Sequence, residues 1–277
     1  MRERRWTPRP PGHPGRGQSR ERDTGQPKRR FHPRPHDAEG PALLYGWHTV
    51  KAALENPNRR FRRLLATENA ARRLAEAGMK LPLAPELVRP EAIASQLPPD
   101  AVHQGLLAEA DGLNSPAIED LPAEGIVLAL DQITDPHNVG AILRSAAAFG
   151  VKAVVMTTRH SPEATSVLAK SASGALEYVP IAEVGNLARA LDALKARGFL
   201  LVGLDSSGTA EFETLPLYSP LVLVLGAEGK GLRQLTRTTC HHVARLDLPG
   251  AIKDLNVSNA AALALYIATT SLKASAE

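Results

Sequence analysis

The sequence predicts an α/β fold in which a mostly parallel sheet occupies the larger, C-terminal part of the chain. Four apolar runs of strand length lie in that part, and helical segments alternate with them. A stretch punctuated by proline and glycine separates them from a smaller α/β unit. Continuous apolar runs are typical of parallel strands buried on both faces, and strand–helix alternation is typical of α/β layers.

Composition limits the class of protein. The chain has 277 residues, of which 43% are hydrophobic and 22% charged, as in a globular protein with more than one domain. Aromatic residues, at 4%, are too few for a broad base-stacking platform. The single Cys240 excludes an intrachain disulfide and a multi-cysteine metal site, which favours a reducing compartment. No apolar run has the length of a membrane span or the character of a secretory signal, so we expect a cytoplasmic protein.

Residues 1–42 are predicted to be a disordered basic arm. Residues 1–40 hold eleven Lys and Arg against five acids, a net charge of +6, so the other 237 residues carry −2 of the total of +4. With almost no aliphatic side chains, the arm cannot offset its ordering entropy by burial. Three interpretations follow: a tail that binds a polyanion, a solubilising extension, or an organellar transit peptide, which the five acids fit poorly.

Residues 43–112 are predicted to form a small α/β domain. A helix is expected within 43–55, because Trp47, Val50 and Ala53 fall on one face and Asn56-Pro57 ends the segment. A strand over 62–67, a helix over 69–77, a helix after residue 90 and a strand over 106–108 follow. The basic cluster of this domain is the candidate RNA contact, and its alternative is a solvated edge; its members are Arg59, Arg60, Arg62 and Arg63.

Residues 113–125 are weakly periodic and are predicted to be a linker. The domain at 126–277 follows, with strands predicted over 126–131, 153–156, 199–203 and 221–225. Helices are predicted over 138–149, 186–197 and 256–272. Ligands of such sheets bind beyond the carboxyl ends of the strands, so we expect the site in the loops there.

Three segments in those loops are candidates. The first, 135–145, carries Asn138 and Arg144, which could both border one cleft. Alternatively, Asn138 only caps the helix and Arg144 lies on its solvent-exposed face. The second, 226–232, has the spacing G-x-x-G-x-G with Glu228, which is neither a Rossmann fingerprint nor a P-loop. The third, 246–260, is a long loop with Asn256 before an apolar helix, where Ser and Asn are also ordinary caps.

In their order and spacing, these three segments resemble the motifs of the SpoU (TrmH) family of RNA ribose 2′-O-methyltransferases in the SPOUT superfamily. The matching stretches are 135–140 with 144–145, 225–232, and 248–249 with 255–260. The N-terminal block, with Tyr45-Gly46 and the stretch 102–105, resembles the small RNA-binding domain that these enzymes often carry.

The resemblance implies S-adenosylmethionine as methyl donor, a homodimer and a deep trefoil knot in the C-terminal domain. It implies methylation of a ribose 2′-hydroxyl in structured RNA, a guanosine of 23S ribosomal RNA above all. The alternatives are a tRNA ribose methyltransferase and a non-catalytic RNA-binding factor of ribosome assembly. By resemblance the cofactor site is lined by Leu225, Gly226, Leu248 and Leu255.

The catalytic residues implied by the resemblance are Asn138, Arg144, Glu228 and Asn256. A guanidinium is a poor base, so Arg144 is expected to hold a phosphate and to stabilise the developing alkoxide. No metal is required. The family often has serine two residues before Asn256, where this chain has Asp254, and the role of Asp254 stays open.

Two further features are given structural interpretations. The run Cys240-His241-His242 suggests metal ligands, but adjacent side chains point apart on a strand and no other cysteine exists. His137 could serve as a general base, but within its motif we expect it to shape the loop.

Overall fold

The computed structural model describes residues 41–159, 166–252 and 254–274. The predicted basic arm, 1–42, lies outside these residues except for Pro41 and Ala42. Among the helices described, none is long and apolar enough to cross a membrane.

The small domain is a four-stranded sheet with three helices. Its strand order is β1-β4-β2-β3, in which β4 is antiparallel to both β1 and β2, and β3 is parallel to β2. The predicted strands and helices are all present. Their bounds are β1 Ala42–Tyr45, α1 Trp47–Glu55, β2 Phe61–Ala66, α2 Glu68–Glu76, β3 Glu86–Leu87, α3 Pro90–Ala94 and β4 Leu106–Ala110.

The start of this domain corrects the prediction of one helix within 43–55. Residues Ala42–Tyr45 form a strand, and the helix begins only at Trp47. Gly46 separates the two with a φ of +86°, in the left-handed region that interrupts a helix and favours glycine. Leu44 and Tyr45 are buried in different core clusters, so both faces of the strand are covered. A strand buried on both faces has no period-2 pattern, so its apolar residues resemble one face of a helix in the sequence.

The large domain contains seven strands and five helices among the described residues. All four predicted strands and all three predicted helices are present, within two residues of their expected ends. The bounds are β5 Ile126–Asp131, α4 Pro136–Ala148, β6 Ala153–Thr157, α5 Ser166–Ser171, β7 Ile181–Val184, α6 Leu187–Ala196, β8 Leu200–Leu204, β9 Ala210–Glu211, β10 Leu221–Gly226, α7 Gln234–Thr239, β11 His242–Arg245 and α8 Val257–Ala274.

The large sheet has the order β7-β6-β5-β10-β8-β11-β9, and every described pair in it is parallel. Strand β10 comes late in the chain but lies between β5 and β8. Asp131 at the end of β5 is in register with Gly226 at the end of β10. The loops after these two strands therefore leave the sheet side by side. The trefoil knot stays a prediction.

Helices cover both faces of this sheet. Leu128 and Leu130 of β5 point into a core that includes residues of α4, α5 and α8, among them Ile142 and Leu265. Val127 and Ala129 of β5 point into the opposite core, with residues of α6. This alternation matches the period of a strand buried on both sides.

The predicted linker contains a short 3-10 helix at Ile118–Asp120 and lies against the large domain. Ile118 and Leu121 are buried. The guanidinium of Arg197 donates to both of their carbonyls, at 2.6 and 2.5 Å. These contacts fix the linker to the large domain at the end of α6.

The two domains are joined by a buried ion pair. Arg59 of the small domain donates to Glu177, which ends a 3-10 helix at Ala175–Glu177, with Nη2 to Oε1 at 2.6 Å. Both side chains are almost fully buried, at 4% and 2% exposed. Asn56 adds a hydrogen bond to Oε2 of Glu177 at 2.8 Å, and Arg59 Nη1 donates to the carbonyl of Asp111. The small domain is thus anchored to the segment that follows α5.

Candidate active site

A carboxylate-centred cluster lies at the carboxyl ends of β5 and β10. Oε1 of Glu228 accepts from Nδ2 of Asn256 at 2.5 Å and from Nδ2 of Asn138 at 3.4 Å. The same oxygen accepts from the backbone N–H of Val257 at 3.2 Å. Asn256 Nδ2 also donates to Asn138 Oδ1 at 3.0 Å. The structure therefore brings together three of the four predicted catalytic residues, one from each motif.

Local chemistry positions each member. Asp135 caps α4 by accepting from the N–H of His137 at 2.9 Å, and Pro136 at the first helical position suits the helix start. Asn138 therefore lies in the first turn of α4. Asn256 Oδ1 accepts from the N–H and hydroxyl of Ser258, at 2.9 and 2.5 Å, which caps the start of α8. Asn256 is therefore both a helix cap and a member of the cluster, and ligand binding by this loop stays a prediction.

Two carboxylates that sequence reasoning missed hold the glycine loop 226–232. Asp131 is buried and accepts from Arg233 at both its backbone N–H and Nε, the latter at 2.6 Å. Asp205 accepts from the N–H of Leu232 at 3.1 Å. Burial raises the pKa of Asp205, but hydrogen bonds from Ser207, Leu232 and Arg237 outweigh it and hold the pKa below its usual 3.8. Asp131 and Asp205 are each a lone carboxylate at the end of an apolar strand, and this sequence feature could have identified them.

The loop also closes tightly on itself. A Cβ at Gly226 would lie 2.3 Å from the carbonyl carbon of Gly231, and Ala227 pairs with Gly231 across the turn. Gly231 has a φ of +62°, and a Cβ there would meet the carboxylate of Asp205. Both glycines are therefore required by close approach, and the turn presents Glu228 at its tip.

A cleft of about 450 Å³ opens beside the cluster. Backbone and side chains of three loops line it, and its polar groups converge from the ends of β5 and β10. The lining residues are Gln132, Ile133, Thr134, Asp135, Asn138, Ala227, Glu228, Lys230 and Val257.

Arg144, the fourth predicted catalytic residue, is not among the residues that line this cleft. It lies on α4, six residues beyond Asn138, which is roughly 240° around the helix. Its side chain is exposed and has no partner among the described residues. One protomer therefore does not bring Arg144 to Asn138, Glu228 and Asn256.

The predicted cofactor residues lie at the end of β10 and in the segment before α8. The hydrogen bond between Asn256 and Glu228 connects these two parts of the chain. Leu225 and Gly226 end β10, with Leu225 buried. Leu248 and Leu255 lie in the irregular segment between β11 and α8, where Leu255 is 38% exposed. Asp254 in the same segment is exposed, and nothing in the structure explains it.

The predicted basic cluster of the small domain is largely neutralised. Arg59 is buried in its pair with Glu177, which corrects its prediction as an RNA contact because its guanidinium is not accessible to RNA. Arg62 Nε lies 2.6 Å from Asp111, and Arg63 forms ion pairs with Glu86 and Glu109. RNA contact by Arg60, Arg62 and Arg63 stays a prediction, and within this cluster only the Arg60 side chain has no partner among the residues described.

Three of the other polar residues that the sequence singled out, Cys240, His241 and His137, have structural partners. Burial raises the pKa of the Cys240 thiol to about 12, and Sγ donates to the carbonyl of Thr236. His241 Nδ1 accepts from the N–H of Leu201, and burial lowers the pKa of its ring. Within the described ranges no group of three metal-ligating side chains occurs. His137 Nδ1 lies 3.1 Å from the hydroxyl of Ser171, which links α4 to α5.

The chain combines a small domain with an α/β domain that carries a polar cluster at the edge of its parallel sheet. Comparison with known proteins shows which family has both domains. The SpoU rRNA Methylase family matches residues 125–266, and the RNA 2′-O ribose methyltransferase substrate binding family matches residues 43–116. The chain belongs to the SpoU rRNA methylase family.

Individual relatives extend the likeness over most of the chain. The 23S rRNA (guanosine-2′-O-)-methyltransferase RlmB of Pseudomonas putida is 36% identical over 234 residues, which cover 80% of this chain and 94% of that protein. The enzyme of the same name from Vibrio cholerae is 36% identical over 238 residues, covering 81% and 94%.

Solved structures share the fold. The SpoU methyltransferase AviRb of Streptomyces viridochromogenes, solved with AdoMet, has a TM-score of 0.72 at 23% identity, over 83% of this chain and 90% of that one. A TrmH-family protein of Porphyromonas gingivalis has a TM-score of 0.69 at 26% identity, covering 82% and 88%.

Proposed function

We propose that this protein transfers a methyl group from S-adenosylmethionine to the ribose 2′-hydroxyl of a guanosine in 23S ribosomal RNA. The observation that carries the proposal is the cluster of Asn138, Glu228 and Asn256, which joins the three motif segments at one cleft. Family membership supplies the reaction class, and the relatives that are named for this substrate match along both domains.

The two loops fit the cofactor. Gly226 lacks a Cβ at a point where backbone segments approach closely, and the segment before α8 is irregular, with Leu255 partly exposed. Leu225, Gly226, Leu248 and Leu255 would hold S-adenosylmethionine there through backbone groups and apolar contact. The sulfonium supplies an electrophilic methyl group when the cofactor is bound.

The cluster orients the ribose. Three neutral donors share Oε1 of Glu228, and Oε2 has no partner among the described residues, so Oε2 is available to accept a hydrogen bond from a ribose hydroxyl. Asn138 and Asn256 fix the carboxylate, which holds the reacting oxygen in one direction. The 2′-oxygen forms a bond to the methyl carbon as the carbon–sulfur bond breaks, and negative charge on the oxygen is stabilised by a guanidinium.

That guanidinium is Arg144, supplied by a second copy of the chain. Arg144 is exposed on α4, away from the cleft of its own protomer, and α4 packs along α8. The outer face of α8 exposes Leu263 and Tyr266, at 36% and 60%, while Leu265 is fully buried in the core. A two-fold homodimer through the layer of α4 and α8 would cover this face and carry Arg144 to the partner's cleft.

Dimer formation is tested by light scattering on the chain and on Tyr266→Glu. We expect a dimer at micromolar concentration, and for the variant a monomer with reduced methyl transfer and an unchanged circular dichroism spectrum. A wild-type monomer that is fully active would contradict the shared site.

The arm at 1–40 is proposed to hold phosphates without choosing the target. Its deletion should flatten the salt dependence of RNA affinity and leave the modified nucleotide unchanged. A substrate in ribosomal RNA also places the protein in the cytoplasm, which is part of this proposal.

The function is tested by tritiated methyl transfer from S-adenosylmethionine to RNA from a strain that lacks the gene. We expect label in 23S ribosomal RNA at a single guanosine ribose. Label in tRNA would instead favour a tRNA ribose methyltransferase, and absence of label in every RNA fraction would favour a non-catalytic binding factor.

A further inference from the structure

The small domain holds a second cleft, of about 600 Å³, between the start of α2 and the loop before β4. It contains none of the residues of the site described above. The residues that line it are Thr67, Asn69, Ala70, Arg73, Pro90, Ala101, Val102, His103, Gln104 and Gly105.

One wall of this cleft is a stacked cation. The guanidinium carbon of Arg73 lies 3.7 Å from the centre of the Trp47 indole ring, and Trp47 is only 7% exposed. The guanidinium therefore lies over the indole ring, while the exposed Arg73 side chain lines the cleft. A planar guanidinium held in this way offers its free face to another flat group, and nucleobases stack on such planes.

The opposite wall presents hydrogen-bond donors. Gln104 has a φ of +52°, and its Oε1 accepts from the N–H of Trp47 at 2.8 Å, which leaves the amide nitrogen of Gln104 available to donate. His103 Nδ1 accepts from the N–H of Gly105 at 3.1 Å, so the neutral ring carries its proton on Nε2. The loop backbone is thus held in a conformation rare for a non-glycine residue, as binding loops often are.

The loop is fixed from both domains. Gly105 has a φ of +80°, and a Cβ there would lie 2.4 Å from Thr67 Oγ1, so the loop lies directly on the start of α2. From the large domain, Lys170 of α5 donates through Nζ to the carbonyl of Val102 at 3.0 Å. The loop that lines the cleft is therefore held by contacts within the chain, and it is tied to the domain that carries the candidate active site.

Arg73 in this cleft differs from most of the basic cluster predicted from sequence, because its charge is not paired with any carboxylate that the structure describes. Arg62 and Arg63 each have carboxylate partners, and Arg59 is buried. Arg73 has no ion pair among the residues described, and its guanidinium lies against the neutral ring of Trp47. A cation that is not neutralised by a carboxylate keeps its attraction for phosphate and for base π-systems.

We infer that this cleft binds one unpaired nucleobase of the substrate RNA. The base stacks on Arg73 and accepts hydrogen bonds from Nε2 of His103 and the amide nitrogen of Gln104. An unpaired base is required, because the base edges of an RNA duplex are out of reach of such a pocket. The inference rests on the proposed function, since it requires RNA as the substrate.

The first test measures the kinetic constants of Arg73→Met. This variant keeps the apolar contact with the indole but removes the planar cation. We expect the KM for ribosomal RNA to rise about tenfold, with kcat and S-adenosylmethionine affinity unchanged. Arg189→Met, an exposed arginine on α6, is the matched control and should change neither value. Arg62→Met tests the alternative RNA contact, which is the basic cluster predicted from the sequence.

A KM that rises for Arg62→Met and stays normal for Arg73→Met would overturn the inference in favour of the basic cluster. Arg73→Lys keeps the charge and loses the plane, so full rescue by lysine would also overturn it. Thermal melts by circular dichroism confirm folding of each variant. A wild-type enzyme that methylates no RNA would refute the proposed function itself, whereas a normal Arg73→Met in an active enzyme refutes only the inference.

A second measurement leaves Arg73 in place. The chain has two tryptophans, so Trp6→Phe makes Trp47 the only one. A short single-stranded RNA from the methylated region should change Trp47 emission, and the same strand in a duplex should not. No change at RNA concentrations that saturate methyl transfer would contradict a base stacked on the Arg73–Trp47 pair.

Discussion

Two glutamates, Glu228 and Glu177, each connect distant parts of the chain, and they do so in opposite environments. Glu228 is exposed at the sheet edge and accepts only from neutral groups, the amides of Asn138 and Asn256 and one backbone N–H. Glu177 is buried and accepts from the guanidinium of Arg59. The carboxylate of Glu228 has no cationic partner among the described residues and leaves one oxygen for a ligand, whereas the carboxylate of Glu177 is paired with a guanidinium.

The difference supports the proposal that the Glu228 cluster performs chemistry, whereas the pair of Glu177 and Arg59 stabilises the fold. A buried pair whose hydrogen bonds are satisfied contributes mainly to folding, and removing one partner leaves an uncompensated charge. An exposed cluster that neutral donors orient contributes little to folding but can position a reacting group. The following predictions test this division, beginning with the largest expected effect.

Arg144→Ala should lower the rate of methyl transfer by about 10²–10³-fold, because it removes the cation proposed to stabilise the alkoxide. The free energy of unfolding should stay unchanged, since the side chain is exposed and has no described partner. Single-turnover methylation and calorimetric titration with S-adenosylmethionine measure the two effects. A large loss of cofactor affinity would mean that Arg144 is misplaced in this mechanism.

Glu177→Gln should lower the free energy of unfolding by about 3–5 kcal/mol, because Arg59 becomes a buried cation without a carboxylate. Urea unfolding checks this value, with Glu55→Gln as the control, since Glu55 pairs with Lys51 on an exposed face. The control should lose about 0.5 kcal/mol or less. Equal losses in the two variants would contradict a structural role for the buried pair.

Glu228→Gln should reduce methyl transfer by about 10²-fold, because a mispositioned reacting oxygen carries a penalty of this size. The amide preserves the shape of the side chain, so the melting temperature should not move. Rates at saturating RNA and cofactor check this prediction. An unchanged rate would show that the cluster only shapes the loop.

Asp205→Asn should weaken the glycine loop in a pH-dependent way. The pKa of Asp205 lies below 3.8 in the folded protein, so its stabilisation is present above that pH and is lost as the pH falls through the folded value. We expect the variant to be about 1–3 kcal/mol less stable near neutral pH, with the gap closing in acid below pH 3.8. A gap of constant size across this range would exclude the carboxylate charge as its cause.

Sequence predicted most of the large domain because its strands and helices have strong local patterns. The runs at β5 and β10 are continuous apolar stretches, and capping residues such as Asp135 mark the helix starts. The predictions missed β7, β9 and β11, which are short or partly exposed. Their pairing depends on neighbouring strands and not on their own residues.

The site was predicted in part, for a physical reason. Resemblance to the family's motifs pointed to Asn138, Glu228 and Asn256, whose contacts follow from adjacent strand ends. The partners of Asp131 and Arg59 could not be predicted, because Arg233 and Glu177 are 102 and 118 residues away from them along the chain. Periodicity reports local structure, and charge pairing at such separations depends on the completed fold.

The central claim is that Glu228 positions the reacting ribose while Glu177 holds the domains together. The most direct test measures single-turnover methylation and urea unfolding on both Glu228→Gln and Glu177→Gln. We predict a crossed result, in which the first variant loses activity with normal stability and the second loses stability with near-normal activity per folded molecule. Parallel losses of activity and stability in both variants would contradict the claim.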